Sequence, residues 1–313
     1  MSPRPWPRSV AFGVAALLTG AAAVATAPLT ATAQLTDAQM VGGNTMTTRA
    51  ACPSGPFYAT AVLAESPSFY WRFGETTPPG VTTVSDATSN GVDGVVRGAG
   101  LSFGAATAGL VDCDDTYGVE LPGTPASTDF LVQPTAVPNP DTFTVSAWVR
   151  TGSTDGGWVL GMGSARWGTS TSRDRVLYIQ SNGQPAFSVG IGPRTVVEGA
   201  APINDNKPHL LVGTLGPAGM ALYVDGVQVD ADPTVTAGAV YTGNEPADQP
   251  PPAVPATPDG FGYWRVGYDS TAGLGPAVPG NDQLAGRVDE VAVWDSRALT
   301  AGDVAGLFAQ NHW

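Results

Sequence analysis

The chain has 313 residues and a net charge of −13, with Lys207 its only lysine. So acidic a surface repels phosphate backbones, which makes nucleic acid and anionic membranes poor candidate partners and leaves cations, neutral glycans and proteins; no nucleic-acid partner is expected. Only His209 and His312 are available for a histidine-based metal or triad site, and neither Cys52 nor Cys113 sits in a CxxC pair.

The chain opens MSPRPWPRSVAFGVAALLTGAAAVATAPLTATAQ. Arg4 and Arg8 precede an Ala-rich apolar run, and Ala31-Thr32-Ala33 fits a small-residue cleavage site. This predicts a secretory signal peptide over 1–33, with an uncleaved anchor as the alternative. No later segment is apolar enough to span a bilayer, so no membrane span is expected after cleavage. Residues 34–51 are polar and aperiodic and predict a flexible leader. In an exported chain the lone cysteine pair predicts a Cys52–Cys113 disulfide, with a loop closure that would stabilise by roughly 4 kcal/mol.

From Cys52 onward Gly and Pro punctuate short apolar runs, the pattern of an all-β chain rich in turns. Tyr58–Ala64, stopped before Pro67, predicts a turn or two of helix. FTVSAWVR (Phe143–Arg150) alternates as a half-buried strand, and STDGGW after it predicts a turn into a short strand at Trp158–Gly161. RVLYIQ and AFSVGI flank Asn182-Gly183, which predicts a tight primed turn. HLLVGTL and ALYVDGVQV follow, the second turning at Asp225-Gly226. WRVGY and GRVDEVAVW supply the last strands. Thr300 to Asp303 resembles a capping box, and Val304, Leu307 and Phe308 continue at helical spacing, which predicts a short C-terminal helix. The Pro-rich loop at 245–258 cannot be a central strand. One folded domain is expected over 52–313.

YWRFGE, SDATSNGVDG, FTVSAWVR, ALYVDGVQV and GRVDEVAVWDSRALTAGDVAGL resemble, in order and spacing, the landmarks of LamG-like jelly-roll domains in the concanavalin A-like lectin/glucanase superfamily. The resemblance covers about residues 57–308. Two stretches depart from it. NDNKPHLLVGT keeps His209 but lacks the tryptophan that usually accompanies it, and the 245–258 insertion is atypical. The resemblance implies two antiparallel sheets stacked as a jelly roll, one of them offering a concave groove. It also implies secreted or cell-surface modules that bind glycans or proteins, often with structural calcium, and it includes some glycanases.

Asp289 and Glu290 adjoin in RVDEVAVW. Strand alternation puts Asp289 with Val291 and Val293 on the core face and Glu290 on the other. Adjacent carboxylates then diverge too far to act as the close pair of a retaining glycosidase. No Glu-x-Asp-x-Glu run or GxSxG is present, so no enzyme is expected. An inward Asp289 needs a cation or several hydrogen bonds. In the family arrangement Glu75, Asp86 and Asn90 are the candidate partners for a shared calcium ion; the competing reading is a hydrogen-bonded turn.

Trp148, Trp158, Tyr178, Tyr263 and Trp264 fit core packing. Trp167 lies instead in the polar GSARWGTSTSRDR loop beside Arg166, Arg173 and Arg175. Trp167, Arg166 and Arg173 are the candidate ligand-binding residues, suited to an acidic glycan or carboxylate; charge balance with Asp174 and other acids is the alternative. The functional expectation is a secreted or surface-associated, non-catalytic binding or adhesion protein whose partner is an extracellular glycan or surface protein. A structural subunit of an extracellular assembly comes next, and a glycan-active hydrolase third.

Overall fold

Phe143, Val145, Ala147 and Val149 all enter the space between two sheets, while Trp148 points the other way and is equally buried. A strand buried on both faces requires a covering layer outside the sandwich, and this layer organises the molecule. The computed structural model describes residues 57–311 apart from 76–81, 105–106, 115, 126, 192 and 241–259. The expected signal peptide, the leader and the Pro-rich 245–258 loop lie outside the described residues, as does Cys52, so the expected disulfide has only its Cys113 half within them.

One antiparallel sheet runs in the order β1 (Phe69–Trp71), β16 (Ala285–Trp294), β7 (Phe143–Arg150), β12 (His209–Gly216), β13 (Gly219–Val224) and β14 (Val227–Asp232). Strand β4 (Val119–Pro122) pairs with the start of β16. The other sheet runs β11 (Thr195–Glu198), β10 (Pro185–Val189), β9 (Arg173–Ile179), β8 (Gly157–Gly163), β15 (Phe261–Val266), β5 (Phe130–Val132), β3 (Gly94–Arg97) and β2 (Thr83–Val84). Strand β6 (Val137–Pro138) adds to β15. The chain is all-β, as its short, turn-punctuated apolar runs predict, and the two-sheet antiparallel sandwich is the architecture that the family resemblance implies. Among the described residues no helix is long and apolar enough to cross a membrane.

Three apolar layers result. The central one includes Phe143, Phe187, Trp264 and Leu222. A second lies outside the first sheet, where α1 (Phe57–Ala64) and α2 (Ala301–Ala309) cover Trp148, Leu210 and Trp294. Trp148 meets Tyr58 edge-on and stacks on Phe308, each at 5.9 Å. The third lies outside the second sheet in two clusters, one around Trp158, Tyr178 and Leu274 and one around Phe130, Tyr263 and Tyr268. Tyr268 and Leu274 are the buried members of these two clusters that lie outside the named strands.

Local chemistry explains the turns. Asp225 (φ 50°) and Gly226 (φ 81°) are both left-handed, as a two-residue primed turn requires. At Asn182-Gly183 only Gly183 is left-handed, and Gln180 N–H donates to Gln184 O across a three-residue loop, so the tight primed turn expected there is replaced by a longer one. Thr300 caps α2: its Oγ1 accepts from Asp303 N–H, and Asp303 accepts in return from Thr300 N–H. Thr300→Ala is expected to cost about 1 kcal/mol, read as a shift of about 2–4 °C in Tm by calorimetry; an unchanged Tm would show the cap to be dispensable.

Candidate functional site

Two clusters carry unusual chemistry. The first is the Asp289-Glu290 pair. Strand β16 pairs Asp289 with Trp148 and then Ala292 with Ser146, so Glu290 and Val291 oppose the single residue Ala147. This is a β-bulge, and its extra residue, Glu290, is left-handed at φ 51°. The bulge resets the alternation. Val288, Val291 and Val293 occupy the central layer, while Ala292 and Trp294 face the outer one. The expectation that Asp289 shares the core face with Val291 is corrected, and so is the expectation that the two acids diverge.

Both acids meet the segment that crosses the sheet's outer face. Asp289 Oδ2 accepts from Leu110 N–H at 2.7 Å, and its Oδ1 accepts from Glu290 N–H. Glu290 Oε1 accepts from Arg72 Nε at 3.3 Å and from Thr116 Oγ1 at 3.1 Å. The Arg72 guanidinium also pairs with Asp114. Two buried carboxylates, Glu290 and Asp114, thus share one guanidinium, with Asp289 adjoining Glu290. Glu290 Oε2 and Asp114 Oδ2 are buried without a hydrogen bond. Burial, reinforced by the Asp114 charge, pushes Asp289 up to about 8, against the opposing pull of Leu110 N–H. Burial also holds Glu290 well above the usual carboxylate range, and burial with the Glu290 charge raises Tyr58. Asp289 and Glu290 are wholly inaccessible to solvent.

The expected calcium set is not assembled around Asp289. Trp71 of β1 pairs with Val291 on one side and bridges to Asp86 on the other, so a strand separates Asp86 from β16. Asp86 accepts from the N–H groups of Tyr70, Thr88 and Val92, and Asn90 donates to Pro67 O and Ser68 O. Glu75 accepts from Ser85 N–H. These are turn-fixing bonds. Among the described residues no three His, Cys, Asp or Glu side chains group to hold a metal.

The second cluster is the loop joining β8 to β9. Arg265, fully buried on β15, reaches up from the sheet. Its guanidinium lies 4.0 Å over the Phe130 ring and donates to Ala165 O, Gly168 O and Ser170 Oγ. Its Nε is 3.2 Å from Asp269 Oδ2, and Asp269 Oδ1 accepts from Ser170 N–H. The loop is therefore clamped to the sheet. Arg173 spends its guanidinium on Ser170 O and Ala272 O, and Arg175 is buried against Asp174. Charge balance thus accounts for Arg175, and carbonyl bonding for Arg173. Trp167 remains half-buried, and above it lies Arg97 of β3, its guanidinium carbon 3.4 Å from the ring centroid. Burial and the neighbouring Arg166 charge lower Arg97 to about 10, which leaves it charged at neutral pH.

A laminin G-type model of the concanavalin A-like lectin/glucanases superfamily matches residues 125–305. The chain belongs to this superfamily. No curated protein matches it. Among solved structures it is similar to a Trypanosoma rangeli sialidase in complex with DANA, with 16% identity, a TM-score of 0.47, and coverage of 77% of this chain and 32% of that one. The chain thus spans about a third of the sialidase's length. It is also similar to domain 4 of AbnA, an extracellular arabinanase from Geobacillus stearothermophilus, with 15% identity, a TM-score of 0.44, and coverage of 77% and 97%. The binding domain of botulinum neurotoxin DC matches at 12% identity and a TM-score of 0.47, with coverage of 80% and 52%. The superfamily's own name joins lectins to glucanases, so membership alone does not separate binding from hydrolysis.

Sequence reasoning missed Arg97, Arg72 and Asp114. Arg97 ends the run GVVR, which reads as an ordinary strand. Its only local signal is a charge at the end of an apolar stretch.

Proposed function

We propose that this lectin/glucanase-superfamily chain is an extracellular, non-catalytic module that binds saccharide at the 164–175 loop, with Trp167 as its stacking platform. The observation that carries this reading is the contrast between the two clusters. The adjacent carboxylates are wholly inaccessible to solvent and bonded to Leu110 N–H, Thr116 and Arg72, whereas Trp167 is half-buried on a loop that Arg265 bonds to the sheet. Aromatic faces pack against the apolar faces of sugars, and a preformed platform lowers the entropy lost on binding. Export rests on the Arg4–Ala33 sequence.

A glycan array followed by calorimetric titration tests it. Trp167→Ala is expected to weaken binding roughly tenfold or more while leaving Tm within a few degrees, because Trp167 belongs to none of the three apolar layers. A variant that binds as well as wild type, or one that unfolds, removes the assignment.

One observation favours assembly through protein contacts as the second reading. The edge strand β14 is exposed along nearly its whole length, with Val227 64% and Val229 40% accessible. Apolar side chains on an unpaired edge invite strand addition. A strictly monomeric protein at high concentration would count against self-assembly through it.

A further inference from the structure

We propose that Arg97 and Arg166, with Trp167 packed against Arg97, form an anion subsite that makes the loop select acidic saccharides, those carrying a carboxylate or sulfate ester, over neutral ones. The inference rests on the saccharide-binding reading of the 164–175 loop and names the ligand class of that site.

The argument begins with how the chain uses its cations. Lys and Arg total 14 against 27 Asp and Glu, so in folding each arginine has acids in excess to choose from. Arg72, Arg175, Arg265, Arg287 and Arg297 each face a carboxylate. Arg150, Arg173 and Arg194 donate to backbone carbonyls, and Arg97 and Arg166 do neither. Among the described residues neither makes an ion pair, and the Nε of each is buried without an acceptor. Asp129 stands against Gly98 on the neighbouring turn but accepts from Ser127 Oγ and pairs with neither arginine. Two like charges held near each other in a strongly acidic protein repel, and the arrangement is relieved when an anion sits between them.

The geometry suits that anion. Arg97 extends from a strand paired with β5, so its backbone is fixed. Trp167 covers one face of its guanidinium, and a guanidinium donates in its plane and not through its faces. A guanidinium edge matches the two oxygens of a carboxylate or sulfate in parallel hydrogen bonds. The loop that carries Arg166 is clamped by Arg265 at Ala165 and Gly168, on either side of Arg166 and Trp167. Arg97 stacked on one face of Trp167, and Arg166 next to Trp167 in the chain, therefore gather two guanidinium groups and an indole on one clamped loop, an arrangement that a saccharide bearing one anionic substituent can engage.

The test is calorimetric titration of the full chain with three probes: an oligogalacturonate, its neutral methyl ester, and a sulfated oligosaccharide. The wild type is expected to bind an acidic probe roughly ten- to a hundredfold more tightly than the ester, with the preference falling as salt is raised. The galacturonate and the sulfated probe tell carboxylate from sulfate as the preferred group. Arg166→Gln and Arg97→Gln should each bring the acid-to-ester ratio close to one, and the first leaves the Arg97–Trp167 stack in place should the second disturb folding. Equal binding of acid and ester by the wild type, or a preference that survives both substitutions, overturns the anion subsite while leaving saccharide binding standing. No binding of any saccharide across the array overturns the parent reading, and this inference with it.

Discussion

Thermal stability is expected to rise as the pH is lowered from about 8 towards 5. Asp289 holds its proton up to about pH 8 in the folded chain, against an ordinary value of 3.8, and Glu290 is shifted in the same direction. In the unfolded chain both release their protons near pH 4. Between these values the folded state binds more protons than the unfolded one, so raising the pH favours unfolding. The slope is about 1.4 kcal/mol per pH unit for each group that keeps its proton, or about 3 °C in Tm for a domain of this size. The contribution is fully present below about pH 4 and, for Asp289, lost by about pH 8. The overall acidity of the chain pushes the same way, so a variant is needed to isolate the pair. Glu290→Gln keeps an oxygen where Oε1 accepts from Arg72 and Thr116, and puts an amide where Oε2 has no partner. It should flatten the profile and match or exceed the wild type at pH 8. Asp289→Asn should be less stable throughout, because its NH2 would set N–H against either Leu110 N–H or Glu290 N–H, where even the protonated acid keeps an oxygen lone pair. Melting curves between pH 4.5 and 8.5 decide. A flat wild-type profile, or a Glu290→Gln profile parallel to it, would mean that the pair is ionised and otherwise compensated.

The same residues show what was legible in the sequence. Strand positions were legible because alternation follows from one buried face, and Phe143 to Arg150 shows it cleanly. That stretch also held a signal about the outer layer. Trp148 lies on the face away from Phe143, Val145 and Val149, and a tryptophan there implies a cover, which α1 and α2 provide. The bulge was not legible. Periodicity assumes regular pairing, whereas the bulge depends on partners far along the chain: Arg72 lies 218 residues from Glu290, and Leu110 lies 179 from Asp289. At the loop, Trp167 and Arg166 stood out because their neighbours are polar and aperiodic. Arg97 joins them only through sheet order, which places β3 beside β5 and β5 beside β15. Composition could point to the loop. It could not say which of three nearby arginines would be consumed by the fold, and Arg173 and Arg175 were.

Arg265→Ala is expected to be the most damaging single change near the loop, costing about 3–5 kcal/mol. The guanidinium is fully buried and makes three hydrogen bonds to the 165–170 segment while facing Asp269. Truncation leaves Ala165 O and Gly168 O without their donor and Asp269 as a buried charge without its counter-ion. It also opens space over Phe130. The loss should appear twice, as a fall in Tm of roughly 10 °C and as weakened ligand binding, since the loop that carries Arg166 and Trp167 loses its support. Arg265→Lys keeps the charge but cannot reach three acceptors from one planar fork, so it should fall between wild type and alanine. The informative comparison is Arg265→Met combined with Asp269→Asn. Replacing both partners removes the stranded charge, so the double variant should be less destabilised than Arg265→Ala alone, although Ser170 N–H and Ser270 N–H must still find an acceptor in the asparagine. Denaturant melts of the three variants, with calorimetric titration of an identified glycan alongside, separate the roles. An Arg265→Ala protein that melts within 2 °C of wild type would show that the loop is held by other contacts. One that is destabilised yet binds undiminished would show that the clamp serves the fold and not the site.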